Sequence, residues 1–161
     1  MTPLCLFSLG THHQQGRVFV HQRSDHKRVF PSMYDMFVGG VSQFGEETCI
    51  TAQRELQEEL GLGKGPFTFL YSCLIETGLN RCFVDVYDYT VQEDQEEVQI
   101  DHDEVQWGDY MSLEEVKRRV DEEKVSRDTS NDSGSGKKIW RFVPDGLLVW
   151  DALLEYWEDH K

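Results

Sequence analysis

The sequence predicts an α/β (α+β) domain, and three observations carry that reading. Residues 47–60 hold no Pro or Gly and are rich in Ala, Gln, Glu and Leu, the composition of a helix. Stretches of alternating apolar and polar residues occur in two pairs, at 4–22 and 66–90, each interrupted by turn-forming residues, the pattern of hairpins. Near the end, Pro144 precedes Leu147, Leu148, Trp150, Leu154 and Trp157, an apolar stripe at helical spacing. With 161 residues the chain has the length of one domain, residues 1–161.

In chain order, the first strand covers residues 4–9, a turn follows at 11–16, and a second strand runs over 17–22. Gly39, Gly40 and Gly45 make the approach to the first helix a loop, and Gly61 is its stop signal. Within that helix Cys49, Ala52, Leu56 and Leu60 form a packing face, while Glu55, Glu58 and Glu59 share another at i, i+3, i+4. In the second hairpin Phe67, Phe69, Tyr71 and Cys73 alternate on one strand and Phe83, Asp85 and Tyr87 on the other, which assigns the aromatics to the core. Residues 93–104 are strongly acidic and read as a solvated loop or strand edge. Ser112 with Glu115 is a capping-box signature for a helix to about Glu123. Residues 126–138 lack any apolar side chain and read as a flexible loop inside the domain, with a short strand expected at 139–143.

The chemistry concentrates in residues 39–62. Like charges at helical spacing repel, so Glu55, Glu58 and Glu59 weaken the helix unless a cation compensates, and Arg54 neutralises only one of them. Hard divalent cations take oxygen ligands, and carboxylates converging from a rigid helix suit them. A solvated acidic face shows the same three glutamates, so the cluster alone does not decide.

The full spacing does. Gly40, five residues, Glu46, seven residues, then Arg54-Glu55-Leu56-Gln57-Glu58-Glu59-Leu60-Gly61-Leu62 resembles a complete Nudix box, with each fixed position filled over 23 residues. The resemblance implies an α/β/α sandwich with a mixed β-sheet and a loop–helix–loop catalytic motif. It also implies Mg2+-dependent hydrolysis, with Mn2+ as the alternative ion, of a nucleoside diphosphate linked to another moiety or a similar organic diphosphate. By the same resemblance Glu55, Glu58 and Glu59 are metal ligands together with the Gly39 carbonyl. Glu46 is an accessory carboxylate and Arg54 holds the glutamates in position. Asp103-Glu104-Val105, Trp107 and residues 111–116 are similar to the segment that follows the box in this family, where a glutamate enters the site. Glu104 is the candidate for that extra ligand or general base, with Asp103 as its alternate. The resemblance implies that the proton acceptor is Glu55 or Glu104.

Upstream, Gln22-Arg23-Ser24, Lys27, Pro31, Asp35 and Gly39-Gly40 resemble the branch of the family that also contains isopentenyl diphosphate isomerases. That likeness makes Arg23 and Lys27 candidate ligands for substrate phosphates, whereas Arg28 reads as ordinary surface charge. Those isomerases use a cysteine just before the box glycine and a histidine just after it; here Gly39 and Val41 occupy those places. Isopentenyl-diphosphate delta-isomerase is therefore the disfavoured alternative to a hydrolase.

Composition limits the partners. There are 30 acidic against 16 basic residues, a net charge of −14, which repels a nucleic-acid polymer. A small diphosphate remains compatible, because a bound metal inverts the local field. Cys5, Cys49, Cys73 and Cys82 form no CxxC or zinc spacing, and reduced thiols fit a cytoplasmic setting. No apolar run approaches the ~20 residues of a membrane span, and the first residues lack the basic region of a signal peptide. Nothing in the sequence sets an oligomeric state or the non-phosphate half of a substrate.

Overall fold

The sheet is built around β2 (Arg17–Arg23), whose central residues Val18, Phe19, Val20 and His21 are all buried. A strand buried on both faces needs layers on both sides, and the chain supplies them. The structure, a computed structural model, describes residues 6–12, 16–78, 81–90, 97–128 and 139–160. β2 pairs antiparallel with β1 (Leu6–His12), β3 (Tyr34–Asp35) and β6 (Val105–Ser112). β1 lies parallel to β5 (Arg81–Thr90), which pairs antiparallel with β4 (Phe67–Glu76). The order is β3-β2-β1-β5-β4 with β6 also on β2, a mixed six-stranded sheet. Both expected hairpin pairings form, and β1 reaches His12 where the sequence suggested a turn from 11.

On one face lies α1 (Thr48–Leu60), whose Leu56 and Leu60 pack with Phe19, Leu62, Tyr89 and Val105. On the other lie α2 (Leu113–Asp128) and α3 (Pro144–Asp159), whose Val116, Val120, Trp150 and Leu153 meet Val18, Val20, Val84 and Val86. The result is the α/β/α sandwich. Each fully buried aliphatic side chain here contributes roughly 1.5–3 kcal/mol, so the two faces fix the position of α1 firmly. No helix among the described residues is long and apolar enough to cross a membrane.

Four sequence expectations are corrected. Phe69 and Phe83 are about half exposed, while Ile75, Cys82, Val84 and Val86 fill the core. A register shift between Phe69 and Tyr71 breaks the alternation in β4, and α1 covers only the Tyr87–Tyr89 end of β5. Residues 139–143 are not a strand: a single parallel bridge joins Phe142 to Tyr34. In α3 the buried stripe includes Val149 and Leu153, and Leu148 faces outward. Finally, α2 continues to Asp128, past the expected end at Glu123 and into the expected loop at 126–138. The added turn is tied to the fold by Arg127 Nη2, which donates to Glu123 Oε1 at 2.6 Å and to Phe142 O at 3.2 Å. Residues 129–138, 91–96 and Cys5 lie outside the described residues.

Candidate active site

Helix α1 is terminated by backbone geometry and not by side chains. Gly61 adopts the left-handed conformation at φ 69°, and its N–H donates to Gln57 O at 3.0 Å. The last carbonyls of the helix have no partners within it. A returning segment takes them up: Gln99 N–H donates to Leu60 O at 2.8 Å and Asp101 N–H to Glu59 O at 3.0 Å. The chain then turns tightly, with Glu104 N–H and Val105 N–H both donating to Asp101 O at 3.0 and 2.8 Å. This turn brings Glu104 beside the carboxylate face of α1. A bulge follows at once, because Gln22 pairs with Trp107 but Arg23 with Val105.

A second loop closes the other side. Ser24 is buried at the end of β2, and its N–H donates to Glu104 O at 2.9 Å. Ser24 O accepts from Lys27 N–H and Ser32 N–H at 3.3 and 3.4 Å, and Ser24 Oγ from His26 N–H at 3.2 Å. The loop is thereby braced on itself, with Arg23 and Lys27 facing the same space.

The space they enclose is a pocket of about 400 Å³ lined by Arg23, Lys27, Gly39, Glu55, Glu58, Glu59, Asp101 and Glu104. Seven of these eight were named from the sequence. Arg54 and Glu46 are not on the pocket wall but stand behind it: Arg54 Nη1 donates to Glu55 Oε1 at 2.6 Å and lies 3.5 Å from Glu58 Oε2, and its Nε lies 3.7 Å from Glu46 Oε1. Burial works against the charge of Arg54, yet Glu55, Glu46 and Glu58 hold its pKa above the ordinary value. Gln43 N–H donating to Glu46 Oε2 at 2.9 Å holds that carboxyl below its usual range. Asp103, the alternate to Glu104, does not line the pocket.

Asp101 is the residue that sequence reasoning missed. Seven acids crowd residues 93–104, and nothing local marks Asp101 among them; its place depends on the bond to Glu59 O.

The electrostatics are unbalanced. Glu59 is buried, and its carboxyl is pushed up to about 8, first by desolvation and further by the neighbouring Glu104 and Glu55, with Lys27 and Arg23 acting in the opposite sense. Lys27 Nζ pairs with Glu104 Oε2. Among the described residues no three acidic, imidazole or thiol side chains are gathered closely enough to form a closed coordination sphere. The donor set nonetheless suits a hard cation, since the acidic side chains and the Gly39 carbonyl all offer oxygen. Gly40 contributes by having no side chain, because a Cβ there would overlap the Glu55 carboxyl. What the arrangement can do is hold a divalent cation against α1 and present two cationic side chains opposite it.

Comparison with known proteins bears on the family and the fold. The family model of the NUDIX domain matches residues 8–130, more than half of the chain. The chain is 37% identical over 145 residues to the Nudix hydrolase SCO1686 of Streptomyces coelicolor, spanning 89% of this chain and 68% of that protein. It is 32% identical over 118 residues to the Nudix hydrolase YfcD of Escherichia coli, spanning 69% of this chain and 60% of that one. The match thus extends over about two thirds of the length of these relatives, both described as uncharacterized. Among solved structures, a MutT protein of Methanosarcina mazei Go1 superposes with a TM-score of 0.68 at 17% identity, covering 99% of this chain and 97% of that chain. The NUDIX domain of Shewanella oneidensis NrtR, solved with ADP ribose, gives 0.64 at 16% identity, covering 96% and 88%. These two show the same fold. The likeness of residues 22–40 to the isomerase-like branch finds no support in the comparisons.

Proposed function

The chain belongs to the Nudix hydrolase family, and on that premise we propose that it hydrolyses the phosphoanhydride of a small organic diphosphate. The substrate class is a nucleoside diphosphate linked to another group, or a compound like it, and the metal is Mg2+ with Mn2+ as a substitute. The observation that carries this reading is the meeting of Glu55, Glu58, Glu59, Asp101 and Glu104 with Arg23 and Lys27 around one pocket.

Glu55, Glu58, Glu59 and the Gly39 carbonyl hold the cation, with Glu104 as a further ligand. When bound, the cation supplies Lewis-acid neutralisation of the charge that builds on the attacked phosphoryl group. Arg23 and Lys27 grip phosphate oxygens through charge-assisted hydrogen bonds. Glu55 or Glu104 takes the proton of the attacking water. Arg54 and Glu46 act from behind by fixing the carboxyl of Glu55. A cytoplasmic setting, where the free thiols Cys49, Cys73 and Cys82 stay reduced, goes with this reading.

The test is a panel of nucleoside diphosphate conjugates and other organic diphosphates, incubated with and without Mg2+. Phosphate or monophosphate release that requires the ion and is lost in Glu58→Gln is expected. A panel with no release, or release unchanged in that variant, overturns the proposal.

A further inference from the structure

Resting on that reading, we propose that Lys27 is a displaceable counter-ion that holds Glu104 in the free protein and passes to the diphosphate when it binds. The two halves of the pocket rim are one hydrogen-bonded unit, joined where Ser24 N–H donates to Glu104 O at 2.9 Å. Across that joint Lys27 Nζ meets Glu104 Oε2. Both side chains line the pocket, and both are partly exposed, 24% for Lys27 and 36% for Glu104. Water reaches this partly buried pair and screens part of its attraction, and a multiply charged phosphate competes strongly for the same ammonium.

The neighbouring cation is built differently. Arg23 is pinned to its own loop, its N–H donating to Met33 O at 2.9 Å and its Nη2 to Val29 O at 3.3 Å. Lys27 has one backbone tie, its N–H to Ser24 O, and a side chain of four rotatable bonds that ends on Glu104 Oε2. Exchange therefore requires a rotation of one side chain with the braced loop left in place. Arg23 is the fixed phosphate ligand and Lys27 the mobile one. By linkage, whatever draws Lys27 away frees Glu104 for its own work, and whatever neutralises or removes Glu104 frees Lys27 for phosphate.

The decisive experiment needs no metal and no turnover. Methylene diphosphonate, which resists hydrolysis, is titrated by calorimetry into the full chain in EDTA. Glu104→Gln is expected to bind it at least about fivefold more tightly than the wild type, the low end of coupling between sites. In a Lys27→Met background the same Glu104→Gln change is expected to give no gain. Lys27→Gln repeats the cycle should the Met variant fail to fold. A second readout is Mn2+ binding to the free protein by electron paramagnetic resonance, tighter in Lys27→Met than in Lys117→Met, a control on the exposed face of α2. An equal gain from Glu104→Gln with and without Lys27 would mean only relief of the general negative field, and overturns the exchange; so does no gain at all. The hydrolase reading fails separately, on the diphosphate panel, whatever this cycle gives.

Discussion

Helices α1 and α2 both carry glutamates at helical spacing, and they treat them in opposite ways. On α2 Glu115, Glu122 and Glu123 are served by three arginines, Arg118 reaching two of them. Glu115 Oε1 accepts from Arg118 Nη2 and Arg119 Nε, each at 2.7 Å, and Glu122 pairs with Arg118. Glu123, fully buried, accepts from Arg127 at 3.0 and 2.6 Å and from Phe142 N–H at 2.8 Å. On α1 a single guanidinium, Arg54, is shared among Glu55, Glu58 and Glu46, and Glu59 lies beneath them with its carboxyl pushed up to about 8 by burial first of all. The number of nearby cations, not the spacing of the acids, separates a structural carboxylate from one left facing a pocket. Glu115, Glu122 and Glu123 of α2 are matched by nearby arginines; α1 is short of positive charge where its pocket opens.

The largest expected effect tests the α1 side. Glu55→Gln should lower turnover by roughly 10²–10⁴-fold, the scale of a lost general base, with a melting temperature unchanged or raised. Glu115→Gln on α2 should leave turnover alone. A large loss of stability in the Glu55 variant would erase the distinction between the helices.

Next in size is Glu123→Ala, which leaves Phe142 N–H without its acceptor and Arg127 with Phe142 O in place of its carboxylate. Breaking a buried pair costs about 3–5 kcal/mol, and the low end applies because Arg127 is 41% exposed and can turn to water. Urea unfolding measures it, and turnover per folded molecule should not change.

Gly40→Ala probes the support of Glu55. The added Cβ would overlap the Glu55 carboxyl, a flexible side-chain end that can move away at small cost in stability. Displacing a reacting group by ~1 Å can cost up to about 10²-fold in rate, so activity should fall well before the melting temperature does. A variant with full activity would show that Glu55 needs no such cradle.

The last prediction concerns Asp35, a buried carboxyl that does not line the pocket and accepts from Met36 and Phe37 N–H at 2.8 and 3.2 Å. Desolvation raises its pKa from 3.8 to about 7, against those two bonds and Arg23. Between those values the folded chain holds the proton more tightly than the unfolded one, so this residue's contribution to stability falls as pH rises from 4 to 7. Asp35→Asn keeps an oxygen for the same N–H groups and should flatten that part of the profile. Unfolding free energies at pH 5 and pH 8, compared with wild type, decide it.

Much of this was legible in the chain itself. The ends of α1, with Gly61 as a left-handed stop, follow from local composition, and so do Ser112 Oγ accepting from Glu115 N–H at 3.2 Å and Pro144 at the start of α3. The spacing from Gly40 to Leu62 put Glu55, Glu58 and Glu59 together, because a helix sets residues three and four apart on one side whatever surrounds it, and the family resemblance added Gly39, Arg23, Lys27 and Glu104. Long-range packing decided the rest. Asp101 joined the site through a bond to Glu59 O, and the pairing of Lys27 with Glu104 spans 77 positions of sequence. The burial of Glu59, the outward turn of Phe69 and Phe83, and the irregular path of residues 139–143 likewise depend on which layer covers which strand. Periodicity records the geometry of neighbours within one element, whereas exposure and charge balance are set by elements that meet only when the sheet closes.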